Sequence, residues 1–365
     1  MNANSMKTDE RILFALRALY DGCGYAKYKM SKFEEYELYV RNKDFLISDS
    51  IITFTDTNGK LMALKPDVTL SIVKNSRDSA GVQRLYYNEN VYRVSKGSHA
   101  FKEIMQAGLE CIGQIDDYCI FEVLMLAAES LRCISDDFVL NISHLGLLSA
   151  VLEGMGVSPA DRPGLIRCIG EKNAHELRRS CDLLGVDPQP LLRLTECYGS
   201  PVAVLPGLRD LLGDHPSLLQ LERLTAGFTG SDLADRLRID FSVVNDVNYY
   251  NGVVFKGFIR GVPAGVLSGG QYDRLMKKMG RQSGAIGFAI YLDQLERLNE
   301  REKRFDVDVV LLYDEADLAG LGRAVQQLRS RGSSVSVQRS LPEKIRCRQL
   351  ARYENGEVKI LEEYA

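Results

Sequence analysis

Apolar positions change their period several times along this chain, and each change marks an element. Between Asp9 and Asp21, Ile12, Leu16 and Leu19 recur at helical spacing, and Gly22 and Gly24 follow, which predicts a first helix ending there. The period then drops to two. IITFTDTNGKLMAL (51–64) alternates on both sides of Asn58 and Gly59, a pair that predicts a hairpin. LKPDVT (64–69), RLYYNENVYRV (84–94) and FKEIMQAGLECIG (101–113) read as further strands. Asp116 or Asp117 is placed to cap a helix running through Leu131. Strands that meet through turns rather than crossover helices predict an antiparallel sheet and the α+β class.

From about 156 the pattern turns into short leucine-rich helical stretches, and seven of the ten prolines fall between 156 and 220. This predicts a helical insertion over about 156–225. The sheet returns at RIDFSVVND (238–246) and continues through NYYNGVVFKGF (248–258) and GVLSGGQYDRL (265–275), with GVPAG (261–265) as the turn between them. Val253, Phe255, Gly257 and Ile259 share one strand face; Val254, Lys256, Phe258 and Arg260 share the other. A helix is predicted from Leu292 into the charged linker RLNEREKR (297–304). After Phe305 the chain reads strand (306–313), helix (318–332), strand (334–338) and a hairpin at Asn355 and Gly356, a small α/β unit. The expected division is a core over 1–300 and a second domain over 305–365.

Composition adds bounds. With 45% hydrophobic and 26% charged residues and a net charge of -3, the chain has an ordinary soluble composition with no global bias toward polyanions. The longest apolar runs, such as VLMLAA (123–128), are too short to span a membrane, and MNANSMKTDER lacks the apolar stretch of a signal peptide, so the cytoplasm is expected. Eight scattered cysteines form no C-x-x-C pair and are expected to be reduced core residues. Histidines at 99, 144, 175 and 215 never share ligand spacing on a helix face; no metal and no cofactor are predicted.

Candidate chemistry concentrates between Asn245 and Gln294. Glycines 265, 269 and 270 permit close backbone approach, and Tyr249, Tyr250 and Tyr272 supply rings suited to lining a polar ligand. The alternative is a tyrosine-rich antiparallel core without a ligand.

Six segments, taken in order, resemble the catalytic core of histidyl-tRNA synthetase, a class II aminoacyl-tRNA synthetase, over residues 9 to about 300. LKPDVT resembles that family's R-P-E-G-T strand, VYRV (91–94) the start of motif 2, and QAGLE (106–110) the glutamine and glutamate that follow. NYYNGVVF and LSGGQYD resemble its histidine-binding strands, and GAIGFAIYLDQL (284–295) its motif 3. The resemblance implies a class II antiparallel sheet flanked by helices and a histidine-like pocket. In that pocket Asp67 meets the ligand's ammonium with a side chain shorter than the family's glutamate, Thr69 and Gln106 add hydrogen bonds, and Arg93 pairs with a carboxylate. Glu110 and Tyr250 address an imidazole, with Tyr249 and Tyr272 alongside. For each residue the plain alternative is a satisfied polar group on the sheet.

Three departures bear on activity. Asn245, Asp246, Val247 and Asn248 stand where the family has arginine-glycine-leucine-aspartate. Gln294 stands where motif 3 ends in the arginine that sandwiches ATP. VSKGSHAFKE (94–103) replaces the arginine-rich motif 2 loop, with Ser95 in the glutamate's place and only Lys96 and Lys102 as cations. Adenylate formation accumulates negative charge, and each lost charge contact costs about 3 kcal/mol in the transition state. The resemblance therefore narrows to the regulatory subunit of ATP phosphoribosyltransferase, with Asp67 and Val68 as its most specific carriers. That family implies pairing with a short catalytic subunit in the first step of histidine biosynthesis, activation of that partner, and feedback inhibition by histidine. It also implies a homodimer formed by residues 9 to about 55 within a hetero-octamer. The 61 residues from 305 to 365 are fewer than the synthetase's anticodon-binding domain has, with strands expected to be missing after 355–356. Lys344, Arg346, Arg348 and Arg352 lie among acidic residues, so tRNA binding is not expected.

Overall fold

Nine strands form the central sheet, in the spatial order Ala26–Lys27, Gln83–Val94, Phe101–Gly113, Gly284–Tyr291, Leu267–Gln271, Val253–Ile259, Phe138–His144, Leu237–Asp240, Tyr198–Gly199. The computed structural model describes residues 8–42, 51–78, 81–94, 100–244, 249–298, 305–314 and 317–364. The chain divides into two units, Met1–Arg297 and Leu298–Ala365. From Gln83–Val94 to Phe138–His144 every neighbour is antiparallel. The sheet is nonetheless mixed, because Ala26–Lys27 joins Gln83–Val94 in parallel and Phe138–His144 joins Leu237–Asp240 in parallel.

One face of this sheet is closed by helices Thr8–Gly22 and Asp117–Ile134. Ile12, Leu16 and Tyr20 of the first, and Cys119, Val123, Leu124, Ala127 and Leu131 of the second, bury against Leu109, Phe255 and Phe288. Asp116 is the cap, its carboxylate accepting the Cys119 N–H at 2.8 Å, and the helix runs one turn past Leu131. The opposite face carries a second core, in which Tyr39, Val68, Leu70, Ile72, Tyr87, Tyr249 and Tyr272 pack together. Over it lies a small antiparallel sheet of Phe33–Glu35, Leu61–Leu64 and Thr53–Thr55.

Helices Arg162–Gly170, Ala174–Leu184, Gln189–Glu196, Pro201–Leu212 and Pro216–Ala226 fill the stretch expected to be helical, with Leu165, Ile169, Leu177, Leu191, Leu208 and Leu221 inside, and helix Leu145–Gly154 precedes them. A polar chain ties it to the sheet. The His144 ring shares a 2.9 Å hydrogen bond with Gln220, whose amide donates to Asp117 at 2.8 Å, and Arg223 donates to the same carboxylate.

Several sequence expectations need correction. LKPDVT is not a strand: Leu64 ends one, Pro66 breaks it for want of an N–H, and Thr69 opens the helix Thr69–Asn75. DRL is likewise helical, in Asp273–Lys278 with Tyr272 just before it, and the strand expected from Asn248 starts only at Val253, after Tyr249 and Tyr250. The segment after Tyr291 is a 3-10 helix, Leu292–Leu298. At Asn58 and Gly59 the hairpin exists, but its loop runs from Asp56 to Lys60. There the Asp56 carboxylate accepts the N–H groups of Asn58 and Lys60 at 2.8 Å each, and only Gly59 has positive φ. Of the eight cysteines, all of them free, Cys133 is exposed and Cys23 and Cys197 are half-buried, while the other five are core residues.

The second unit is a four-stranded sheet in the order Val335–Gln338, Val307–Tyr313, Cys347–Glu354, Glu357–Glu363. Helix Leu318–Ser330 sets Leu321 and Ala324 against Val309, Leu311 and Ala351. Asn355 and Gly356 both adopt positive φ, the requirement of a tight two-residue hairpin turn. A strand therefore does follow that turn. Arg346 pairs with Asp306, and Arg352 with Asp314, so two members of the basic cluster have acidic partners. Among the described residues no helix is long and apolar enough to cross a membrane.

Candidate functional site

Strand register assembles the site floor. In neighbouring strands, directly opposed residues share a face. Tyr87 opposes Gly108, Gly108 opposes Ala289, Ala289 opposes Ser268, and Ser268 opposes Lys256. Two residues along, Glu110 opposes Gly287; two the other way, Gln106 opposes Tyr291. Above this floor, the start of helix Thr69–Asn75 and the rings of Tyr249, Tyr250 and Tyr272 enclose a cavity of about 540 Å³. All eight residues singled out from the sequence line it: Asp67, Thr69, Arg93, Gln106, Glu110, Tyr249, Tyr250 and Tyr272.

Glu110 is the most constrained of them. It is buried, and accepts a hydrogen bond from the Thr69 hydroxyl at 2.9 Å and from the Tyr272 hydroxyl at 2.6 Å. Burial pushes its carboxyl up to about 8; the two hydroxyls pull it down, while nearby Asp67 pushes it further up. Asp67 is also raised by burial, opposed by the Leu70 N–H, which it accepts at 2.9 Å, and by Arg93. One Asp67 oxygen thus fixes the turn into the helix, so this residue has a structural duty whatever it binds. Arg93 donates through Nε to the Pro66 carbonyl at 3.0 Å, which holds the same turn from the other side.

The tyrosines form a wall of edge-on and tilted rings. Tyr249 meets Tyr250 edge-on at 4.7 Å and Tyr272 at 5.8 Å between ring centroids. Burial raises the phenols of Tyr249 and Tyr272 well above their ordinary range, so both remain neutral donors. The arrangement offers a buried acidic end, hydroxyl donors and aromatic faces, a set suited to a small cationic or zwitterionic molecule.

Gly287 makes room for Glu110. A Cβ there would lie 1.8 Å from a Glu110 carboxylate oxygen and 2.4 Å from the Leu109 carbonyl. Gly287→Ala is expected to destabilise the chain by about 1–3 kcal/mol through overpacking and to displace Glu110. Thermal unfolding read beside ligand titration checks this; an unchanged midpoint would show that the floor yields freely.

Sequence reading missed Tyr87, Lys256, Ser268, Tyr291 and Asp293, which also line the cavity. For the first four the signal was strand parity with Gln106 and Glu110, visible only once the pairing is known; Asp293 lies in the 3-10 helix just past the strand. Gln294 lines the cavity too, its amide donating to Asp293 at 3.0 Å. The departures at Asn245, Asp246, Val247, Asn248, Ser95 and Lys96 lie outside the described residues. Lys102 is exposed at the start of its strand.

Comparison with known proteins agrees with this geometry. The histidyl-tRNA synthetase family model matches residues 1–295. The chain belongs to the histidyl-tRNA synthetase family. Within it, a relative from Alkaliphilus metalliredigens named ATP phosphoribosyltransferase regulatory subunit is 26% identical over 77% of this chain and 75% of its own. A histidine–tRNA ligase from Methanocaldococcus jannaschii is 28% identical over 77% of this chain and 69% of its own. The solved structure of an ATP phosphoribosyltransferase regulatory subunit/histidyl-tRNA synthetase from Bacillus halodurans superposes with a TM-score of 0.75 at 25% identity, covering 91% of this chain and 88% of that one.

Proposed function

We propose that this chain is the regulatory subunit of an ATP phosphoribosyltransferase, without aminoacylation chemistry of its own. It activates a short catalytic subunit in the first step of histidine biosynthesis and takes part in feedback inhibition by histidine. The observation that carries the reading is one cavity that keeps a buried acidic end, Asp67 and Glu110, while Gln294 stands in its wall where a synthetase has arginine. Loss of that planar cation removes charge stabilisation from phosphoryl chemistry and leaves the amino-acid end intact. The name of the Alkaliphilus relative supports the same reading. Histidine acts by binding one state of the assembly better than another, a coupling of about 1–3 kcal/mol in typical cases. A homodimer through residues 9 to about 55, within a hetero-octamer, belongs to this proposal.

The deciding experiment mixes the purified chain with a short-form ATP phosphoribosyltransferase. Turnover is expected to rise on mixing and to fall again when histidine is added; unchanged turnover across a range of ratios would refute the reading.

A second reading, amino-acid activation, draws on the intact acidic end and on the Methanocaldococcus ligase. It requires histidine-dependent exchange of pyrophosphate into ATP by this chain alone. No exchange is expected.

A further inference from the structure

The far side of the cavity floor carries a cation that the reading above does not use. Lys256 lines the cavity and is half-buried, and among the described residues no carboxylate pairs with it. Its ammonium sits 5.6 Å from the centre of the Phe258 ring. Its stem is held in place by Gly265, where an added Cβ would come within 2.3 Å of the lysine Cε. Polar groups flank it in register: Ser268 on one neighbouring strand and Asn141 on the other. Asn141 is buried, donates to Asp240 at 2.9 Å, and leaves its side-chain oxygen without a partner. Ser268 lines the cavity beside the lysine.

A partly desolvated ammonium without a counter-charge is costly, and burial indeed lowers the Lys256 pKa. Such a group is stabilised by whatever anion enters. Glu110 of the acidic end lies three strands across the sheet and Asp67 in the turn above it, so cation and anion of a ligand, or of two ligands, would be received at separate ends. We propose that Lys256, with Ser268, seats an oxyanion: a phosphate, free or as the ester of a small hydroxylated carrier. A compact ammonium on a flexible stem is suited to such a group as a point charge, and a neighbouring hydroxyl supplies a directional bond. The inference rests on the cavity being a ligand site, but not on histidine being its ligand.

Calorimetric titration of the full chain in chloride-free buffer tests it, with inorganic phosphate and ribose 5-phosphate as probes and histidine in parallel. Binding of at least one oxyanion is expected, weakened about tenfold or more in Lys256→Met and retained in Lys256→Arg. Equal affinities identify free phosphate as the source; tighter binding of ribose 5-phosphate identifies an ester. A measurement on the unaltered chain keeps the test independent of variant folding. Bound oxyanion is expected to protect Lys256 from acylation, read by mass spectrometry. No oxyanion binding to the wild type, binding that survives Lys256→Met, or no protection overturns the proposal. Histidine binding without oxyanion binding sinks this inference alone, and loss of both sinks the cavity reading with it.

Discussion

Glu110→Gln is expected to raise the histidine concentration that half-suppresses the activated phosphoribosyltransferase by roughly tenfold to a hundredfold, while activation itself persists. The amide keeps the shape of the side chain and can meet both Thr69 and Tyr272, accepting from one hydroxyl and donating to the other, but it cannot give up a proton to become the charged partner of a bound cation. Hydrogen bonds to a charged group contribute about 1.5–3 kcal/mol, which sets that range. A structural role alone would lower stability and leave the histidine response where it was. The pH dependence gives a second readout. Burial pushes Glu110 up to about 8, so the folded empty chain holds a proton there that the unfolded chain has lost. Its contribution to stability is complete below the ordinary glutamate range and is lost as the pH rises through about 8. Between about pH 5 and about pH 9 the wild type is therefore expected to lose more stability than Glu110→Gln, in which nothing titrates at this position. Parallel stability curves would defeat the assignment.

The largest effect on folding is expected from Glu89→Ala. Lys65 is fully buried, and its ammonium reaches the Glu89 carboxylate at 2.6 Å. Removing one partner of a buried ion pair costs about 3–5 kcal/mol, because the other charge is left in a poorly polarisable interior. The other acid nearby, Glu34, is already engaged by Ser71 and Lys74. Lys65 also supplies the carbonyl that accepts the Tyr92 N–H at 2.9 Å, so the pair pins the turn carrying Asp67 and Thr69 to the strand Gln83–Val94. Urea unfolding is expected to show a much lower midpoint for Glu89→Ala and recovery in Lys65→Met with Glu89→Leu, which removes both charges together. A loss under about 1 kcal/mol would mean that water reaches the lysine.

How much of this was legible beforehand depended on the kind of signal. The strands Gln83–Val94 and Phe101–Gly113 were readable because each runs for a dozen residues rich in β-branched and aromatic or apolar side chains, with no proline to break it. The turn at Asn355 and Gly356 was readable because few residues other than asparagine and glycine accept its backbone. LKPDVT misled because a four-residue strand, a proline turn and a helix start lie within one short apolar stretch, where period cannot be measured. Phe138–His144 passed unnoticed because both its faces are covered: FVLNISH carries no alternation to separate it from the helices around it. That the eight named side chains would line one cavity was legible only through the resemblance, since their sequence spacing does not bring them together. Lys256 escaped because its neighbours across the sheet, Asn141 and Ser268, are more than a hundred positions apart in sequence.

The outermost strand of the second unit, Glu357–Glu363, leaves one side of its backbone without a neighbouring strand among the described residues. An open row of amides and carbonyls invites strands from other molecules. Here the invitation is refused by charge: Glu357, Glu362 and Glu363 flank the exposed Ile360 and Leu361, with Lys359 occupied by Glu354, so an approaching copy would meet like acids and be repelled before its backbone came into range.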